Sequence, residues 1–363
     1  MQITILNMID DELSPEITDE AGSKDELYEH FRFVVDPGTE LLRIDKYLFN
    51  LIKHTSRNKV QQAAKAGCIV VNGKPEKQNY KVHPNDVISV LMPNPPRDTE
   101  IIPEDIPLNI AYEDDDLLII NKEPGMVVHP AFGNFTGTMV NALYYYLKDQ
   151  KLPDGSPMKP LLVHRIDKNT SGLIAVTKNE LAQMRLAKVF FDHDLERKYW
   201  ALVWGDFEED EGTIVGNVGR NPKDRMVMAV FPEGSEQGKH AVTHWRVLER
   251  FGYVTLVECQ LETGRTHQIR VHMQHIGHPL FNDEAYGGHR ILKGTTFSKY
   301  QQFIRNCFAL MPRQALHAKS IGFVHPISGK FVKFESELPE DFQAVIEKWR
   351  NYVSNRPIEE MEN

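Results

Sequence analysis

The sequence predicts an α+β protein in two folded parts, a small α/β unit followed by a larger body built mainly on antiparallel strands. Three observations carry this. Strand-like runs outnumber helical ones and seldom alternate with them, which argues against a parallel sheet. Pro93, Pro95, Pro96, Pro103 and Pro107 punctuate an acidic stretch over 93–107, where each ring removes a donor and restricts its predecessor, so this stretch reads as a linker. The 363 residues, 41% hydrophobic and 26% charged, suffice for two or three domains with real cores and exclude a disordered chain.

Upstream of the linker, Leu41, Leu42, Ile44, Leu48, Leu51 and Ile52 recur at helical spacing, with Arg43, Lys46 and Lys53 at the edge of that face. Ser56 is placed to cap a second helix running to Ala66. A strand over 68–71 ends in the hairpin signal Asn72-Gly73, and 87–90 reads as another strand. Downstream, 117–121 is a strand, Pro124-Gly125 a turn and 138–147 a helix. Strand character returns at 173–177, and Asn179 caps a helix with Leu181, Met184, Ala187 and Phe190 on one side. Further strands are expected at 198–204, 243–248, 255–262 and 332–334.

The net charge of −9 would argue against a nucleic-acid partner, but its distribution does not. Residues 1–40 carry −9, 41–92 carry +6, 93–116 carry −7, 117–334 carry +6 and 335–363 carry −5. Basic blocks between acidic arms suit a phosphate-binding protein, since counterion release depends on local charge. The expected division is an acidic arm over 1–40, a basic unit over 41–92, the linker over 93–107, the main body over 108–345 and an acidic tail over 346–363. Cys68, Cys259 and Cys307 stand far apart without a CxxC pair, so neither a disulfide framework nor a thiolate zinc cluster is signalled, and a cytoplasmic setting is expected. The opening MQITILNMIDDELS has no basic residue ahead of its apolar stretch, unlike a secretory signal, and no apolar run approaches the roughly 18 residues that span a bilayer.

Two polar clusters are candidates for chemistry. His164-Arg165-Ile166-Asp167-Lys168-Asn169-Thr170-Ser171-Gly172 lies between apolar segments, as a loop presented by a rigid scaffold would, and offers Asp167 as nucleophile or base. An ordinary ion pair for Asp167, with Thr170 and Ser171 as turn residues, fits the same pattern. The second cluster, Glu262 to His272, contains Arg265, His267, Arg270 and His272; if extended, it would put Arg270 and His272 on opposite faces. His267, His272, His275 and His278 invite a zinc reading, but there is no HExxH and no cysteine partner nearby, so no metal site is assigned. Phosphate-loop and nucleophile-elbow motifs are absent, so no nucleotide cofactor is expected.

Five ordered motifs resemble the large-ribosomal-subunit class of pseudouridine synthases. His164 to Leu173 is similar to that family's signature, with Ile166 in place of the commoner leucine; Asn121 to Pro130 is similar to the preceding motif, and Arg197 to Val203 to the one carrying a tyrosine. Thr263 to His272 with Gly277 to Leu280, and Arg313 to Ala318 with His325-Pro326, resemble the last two. The basic unit, with Arg43-Ile44-Asp45-Lys46 and Val70 to Lys74, resembles an S4-type RNA-binding domain. The match spans more than 200 residues; residues 1 to about 30 and the last 18 or so have no counterpart. The resemblance implies isomerisation of uridine to pseudouridine in RNA without cofactor or metal. Asp167 would be the catalytic carboxylate, Arg270 the basic residue whose charge pairs with it and Tyr199 the residue stacked on uracil. Arg165 would fill the gap left by the flipped base. Arg43, Lys46, Arg57, Lys59, Lys74, His164, Arg265 and His267 would contact RNA. Large-subunit ribosomal RNA, naked or in an assembling particle, is the expected substrate and transfer RNA the alternative. A monomer is expected, with no membrane partner. A non-catalytic RNA-binding factor would not need Asp167, Tyr199 and Arg270 together, and a metal-dependent hydrolase would betray itself by chelator sensitivity.

Overall fold

A computed structural model of the chain describes residues 28–52, 55–92, 101–131, 134–224 and 226–355. These form two compact units divided between residues 100 and 101. Lys53, Pro93, Pro95, Pro96 and the outer parts of both acidic arms lie outside the described residues.

In the first unit, strand β1 (Tyr28–Val34) precedes helices α1 (Ile44–Leu51) and α2 (Arg57–Lys65) and strands β2 (Ile69–Val71), β3 (Lys74–Pro75) and β4 (Val87–Met92). Ser56 caps α2 by accepting from the Lys59 amide, as its position in the sequence suggested. The sheet runs β1-β4-β2-β3, all antiparallel, and one face covers Ile44, Leu48, Val60, Ile69 and Ile88. The expected boundary at residue 41 is therefore corrected. β1 lies in the stretch taken for an acidic arm, where Phe31 and Phe33 alternate with charges, and it supplies the outer strand of this sheet.

The second unit contains β5 (Ile110–Glu113), β6 (Leu117–Lys122), α3 (Met139–Leu147), β7 (Leu161–Leu162), β8 (Ser171–Thr177), α4 (Glu180–Phe191), β9 (Leu195–Trp204), β10 (Glu211–Arg220), β11 (Met228–Phe231), β12 (Lys239–Arg250), β13 (Val254–Leu261), α5 (Gln268–His275), α6 (Ser298–Leu310), β14 (Leu316–Val324), β15 (Phe331–Glu335) and α7 (Glu340–Ser354). Eleven strands form one sheet in the order β11-β10-β12-β13-β9-β14-β8-β6-β5, with β15 beside β14 and β7 beside β8. Among the described pairings only β14 with β8 is parallel, as an α+β fold with few crossover helices requires. β8 covers the strand expected at 173–177, whereas β14 was not announced by the sequence: like β8 it lies mid-sheet and is mostly buried, so it cannot show polar alternation.

Two further boundaries are corrected. Residues 101–107 lie against α3 rather than forming a free linker: Asn141 donates to the Ile102 carbonyl, and Glu104 accepts from the Gly137 amide. Helix α7 crosses the expected edge of the acidic tail at 345/346. Its Phe342, Val345, Ile346 and Trp349 recur at helical spacing and are buried with Trp204, Phe281 and Tyr300 in the largest apolar cluster.

Candidate active site

The site is built where the β7–β8 loop meets α5. Asp167 stands on the loop and Arg270 on the buried side of α5, whose N-cap His267 takes left-handed backbone geometry (φ +55°). The segment for which an extended form was considered is a helix, since the left-handed cap turns the chain sharply out of β13. Residues 270 and 272, two apart on it, still point in different directions.

The loop is held from both sides. Ile166 is buried with Tyr199 and Ile269, which fixes the neighbouring Asp167 at the edge of the apolar cluster. The Lys122 ammonium at the end of β6 donates to the carbonyls of Glu123, Met126 and Lys168, and Arg313 donates to the Asn169 carbonyl. Burial pushes the Lys122 pKa down to about 7, with Arg313 adding to the effect and Asp167 opposing it. At the start of β8, Gly172 takes φ +110°, and a Cβ there would lie 2.3 Å from the Ala318 carbonyl oxygen, so only glycine lets β14 approach this closely. Ser171 and Ser336 bracket His317, at 3.0 and 2.8 Å from its two ring nitrogens.

Arg270 Nη1 donates to Asp167 Oδ2 at 3.1 Å, while Nε and Nη2 grip Asp283 at 2.7 and 2.9 Å. Asp283 is fully buried, and its second oxygen also accepts from the Tyr286 amide. Burial opposes the Arg270 charge, but Asp283 and Asp167 together more than offset it, so its pKa is raised. The guanidinium lies 5.0 Å from the Tyr286 ring centroid. Tyr286 Oη accepts from the Met228 amide and lies 2.9 Å from His267 Nδ1. His267 Nε2 is 3.9 Å from Asp167 Oδ2; burial lowers its pKa, Asp167 opposing. Among the described residues, Asp167 Oδ1 accepts no hydrogen bond, so the carboxylate is oriented through one oxygen and free at the other.

Tyr199, on β9, is 8% exposed and packs with Ile166 in the same apolar cluster. Burial raises its pKa, Arg197 lowers it and Asp167 raises it again, which puts the phenol within electrostatic reach of that carboxylate. Arg165 is exposed beside the half-buried His129, whose pKa falls to about 4 through burial and the Arg165 charge.

The remaining expected RNA contacts divide. His164 is corrected: it is buried, accepts the Ala175 amide at 2.8 Å through Nε2 and stacks on Phe190, and burial with the Arg197 charge pushes its pKa down to about 3, so it braces β8. Arg265 is half-buried with Nε on the His240 carbonyl. In the first unit Lys46 and Lys74 are exposed and Lys59 half-buried, while Arg43 and Arg57 both donate to Asp45. Of the histidines that invited a zinc reading, His267, His272 and His278 lie on Tyr286, Thr243 and the Trp204 carbonyl, respectively. Among the described residues, Asp114, Asp116 and His325 have ligand spacing, but Asp114 already accepts from Tyr112 and from the Asp116 and Leu117 amides. Asp283, Tyr286 and Lys122 were not singled out from the sequence.

Residues 116–275 match the RNA pseudouridylate synthase family model and residues 42–88 the S4 domain model. A Chlorobaculum parvum protein named as an uncharacterised RNA pseudouridine synthase is 49% identical over 314 residues, 86% of this chain and 95% of its own. The chain belongs to the RNA pseudouridine synthases. A Zymomonas mobilis relative named ribosomal large subunit pseudouridine synthase D is 40% identical over 321 residues, 86% of this chain and 95% of that protein. Human RNA pseudouridylate synthase domain containing 4 shares the fold at TM-score 0.52 and 22% identity, over 67% of this chain and 93% of its own.

Proposed function

We propose that this pseudouridine synthase acts on large-subunit ribosomal RNA, with Asp167 as its catalytic group and no cofactor. The observation that supports the chemistry is the shared arginine: Arg270 spends two donors on Asp283 and one on Asp167, which keeps Asp167 oriented while leaving Oδ1 for the sugar. The reaction breaks the C1′–N1 bond, turns the trapped uracil and joins C5 to C1′; the C5 proton leaves and N1 gains one, so the base is isomerised without net loss. Asp167 attacks C1′, or removes a sugar proton to give a glycal, and in either case it must be ionised. Tyr199 stacks on the uracil and assists loss of the C5 proton. Arg165, exposed at the start of the loop, fills the space left by the flipped nucleotide.

The ribosomal substrate is supported by relatives such as the Zymomonas mobilis protein and by the S4 domain. Base-resolved mapping of pseudouridine in cells with and without the gene tests it, with Asp167→Asn as the complementing control. Loss of one or a few sites in large-subunit RNA, restored only by wild type, is expected. Loss confined to transfer RNA would replace the substrate, and restoration by Asp167→Asn would remove the aspartate.

A further inference from the structure

Three arginines in the described residues are deeply buried, and two are neutralised. Arg270 is gripped by Asp283, and Arg313 by Asp341 at 2.7 and 2.9 Å. Arg197 is the third, 7% exposed, and no described carboxylate pairs with it. Its Nη2 reaches the Glu262 carbonyl at 3.4 Å, its guanidinium lies 5.5 Å from the Phe190 ring centroid, and its Nε is buried without a partner. A guanidinium withdrawn from water without an anion is strongly unfavourable, so a fold that retains one without a counterion is incomplete at that place.

The surroundings are basic. Arg197 sits two residues before Tyr199 on β9, on the same face of the strand. Gly264 closes over it; a Cβ there would lie 2.6 Å from Nη1. Arg265 follows, with its Nε on a carbonyl and no described carboxylate partner, and burial lowers its pKa. His193, at the turn into β9, is held below its usual range by burial and by both arginines. The acids nearby are Glu262, whose carboxylate is bound to His244 at 2.6 Å, and Asp192, which pairs with Lys188. The geometry points to an anion subsite formed by Arg197 and Arg265, which takes a backbone phosphate of the substrate RNA beside the target uridine. This rests on the reading of the neighbouring site as the uridine pocket. The guanidinium fork matches phosphate oxygens in a way an ammonium does not.

The test uses the full chain and a large-subunit RNA transcript, measuring affinity across a salt series together with the thermal midpoint of the free protein. Arg197→Met should weaken binding by about tenfold, as loss of a charge-assisted contact does. It should also reduce the logarithmic salt slope by about 0.7 to 0.9. Because the substitution removes an unpaired buried charge, the midpoint of the free protein should hold or rise. Arg197→Lys should keep the slope while recovering only part of the affinity. An unchanged slope with a lowered midpoint would overturn the subsite and make Arg197 a structural cation. An unchanged affinity with a shifted pH profile of single-turnover rate would also overturn it, and assign Arg197 to the Tyr199 hydroxyl. Binding is read without turnover, so a chain that makes no pseudouridine yet shows the slope change would lose the uridine reading and keep the anion site.

Discussion

Asp45 and Asp167 are both bound by arginine, and they differ in how completely. Asp45, in the first turn of α1, is fully buried and accepts from Arg43 twice, from Arg57 and from Gln61 at 2.7 Å. Burial raises its pKa, but the Gln61, Arg57 and Arg43 hydrogen bonds prevail and lower it overall. Asp167 receives one arginine donor on one oxygen, because the rest of that arginine belongs to Asp283. Saturation makes Asp45 a clasp between α1 and α2; partial satisfaction leaves Asp167 oriented but able to react. The clasp also turns donors of Arg43 and Arg57 away from an RNA partner, though both side chains remain over 40% exposed.

The comparison breaks most sharply under the isosteric amide. Asp167→Asn should lower turnover by at least about a thousandfold while leaving the thermal midpoint and RNA affinity near wild type, since an amide is neither nucleophile nor base. Asp45→Asn should do the reverse, leaving turnover at saturating enzyme intact and costing about 2 kcal/mol of stability in urea unfolding. Turnover by Asp167→Asn within tenfold of wild type would remove the distinction. Asp283→Asn converts one case toward the other. Without its charge, Arg270 can turn both donors of one edge onto Asp167 and saturate it. Turnover should fall by about tenfold or more and stability by roughly 3 kcal/mol, because a buried ion pair loses a partner. Full activity in that variant would show that Asp283 does not hold the arginine for Asp167.

Much of this was legible before the structure. Ser56, Thr138 and Asn179 stand at helix starts and cap as their side-chain chemistry dictates. The Asp167 and Arg270 pairing was implied by motif resemblance rather than by spacing, since 103 positions separate them. Asp283 carried no signal: it follows Asn282 in a loop, and only the fold brings it back to α5. In α7 the acidic charges masked a regular apolar stripe, and mid-sheet burial hid β14. Histidine gave no local sign of its role. His164 is as buried as its apolar neighbours, because its ring nitrogen replaces a missing strand partner for Ala175.

Those histidines sharpen the contrast through pH. Burial, joined by nearby cations, holds His129 and His272 at about 4 and His164 and His317 at about 3. The unfolded value is about 6.5. In that window the unfolded chain binds more protons, so the stability these neutral rings contribute is fully present above about 6.5 and is lost as pH falls toward 3. All four lie in the second unit. The urea midpoint of that unit should therefore drop steeply between pH 6.5 and 4, while a probe in the first unit, whose described histidines are the half-buried His30 and the exposed His83, should move less over the same range. Equal slopes from the two probes would show that the buried rings do not govern acid unfolding.

The smallest effect concerns what the first unit adds to RNA binding. Its segment 41–92 carries +6, and because Asp45 engages Arg43 and Arg57, the exposed Lys46, Lys74 and their neighbours are the side chains expected to make most of the phosphate contacts. About three contacts at a slope near 0.7 each predict that deletion removes about two units from the logarithmic salt dependence on single-stranded RNA. Over a fourfold rise in salt this is roughly a twentyfold difference in how steeply affinity falls. The cut belongs after residue 100, because 101–107 pack on α3. A truncated chain starting at Ile101 should bind long ribosomal RNA more weakly and with a flatter salt dependence, while its single-turnover rate at saturating enzyme changes little. The opposing outcome, an unchanged slope with a large fall in thermal midpoint, would make the first unit a folding partner of the second. Lys46→Gln with Lys74→Gln in the full chain refines the answer, since these substitutions leave the Asp45 clasp intact and should remove about two contacts from the slope without moving the midpoint.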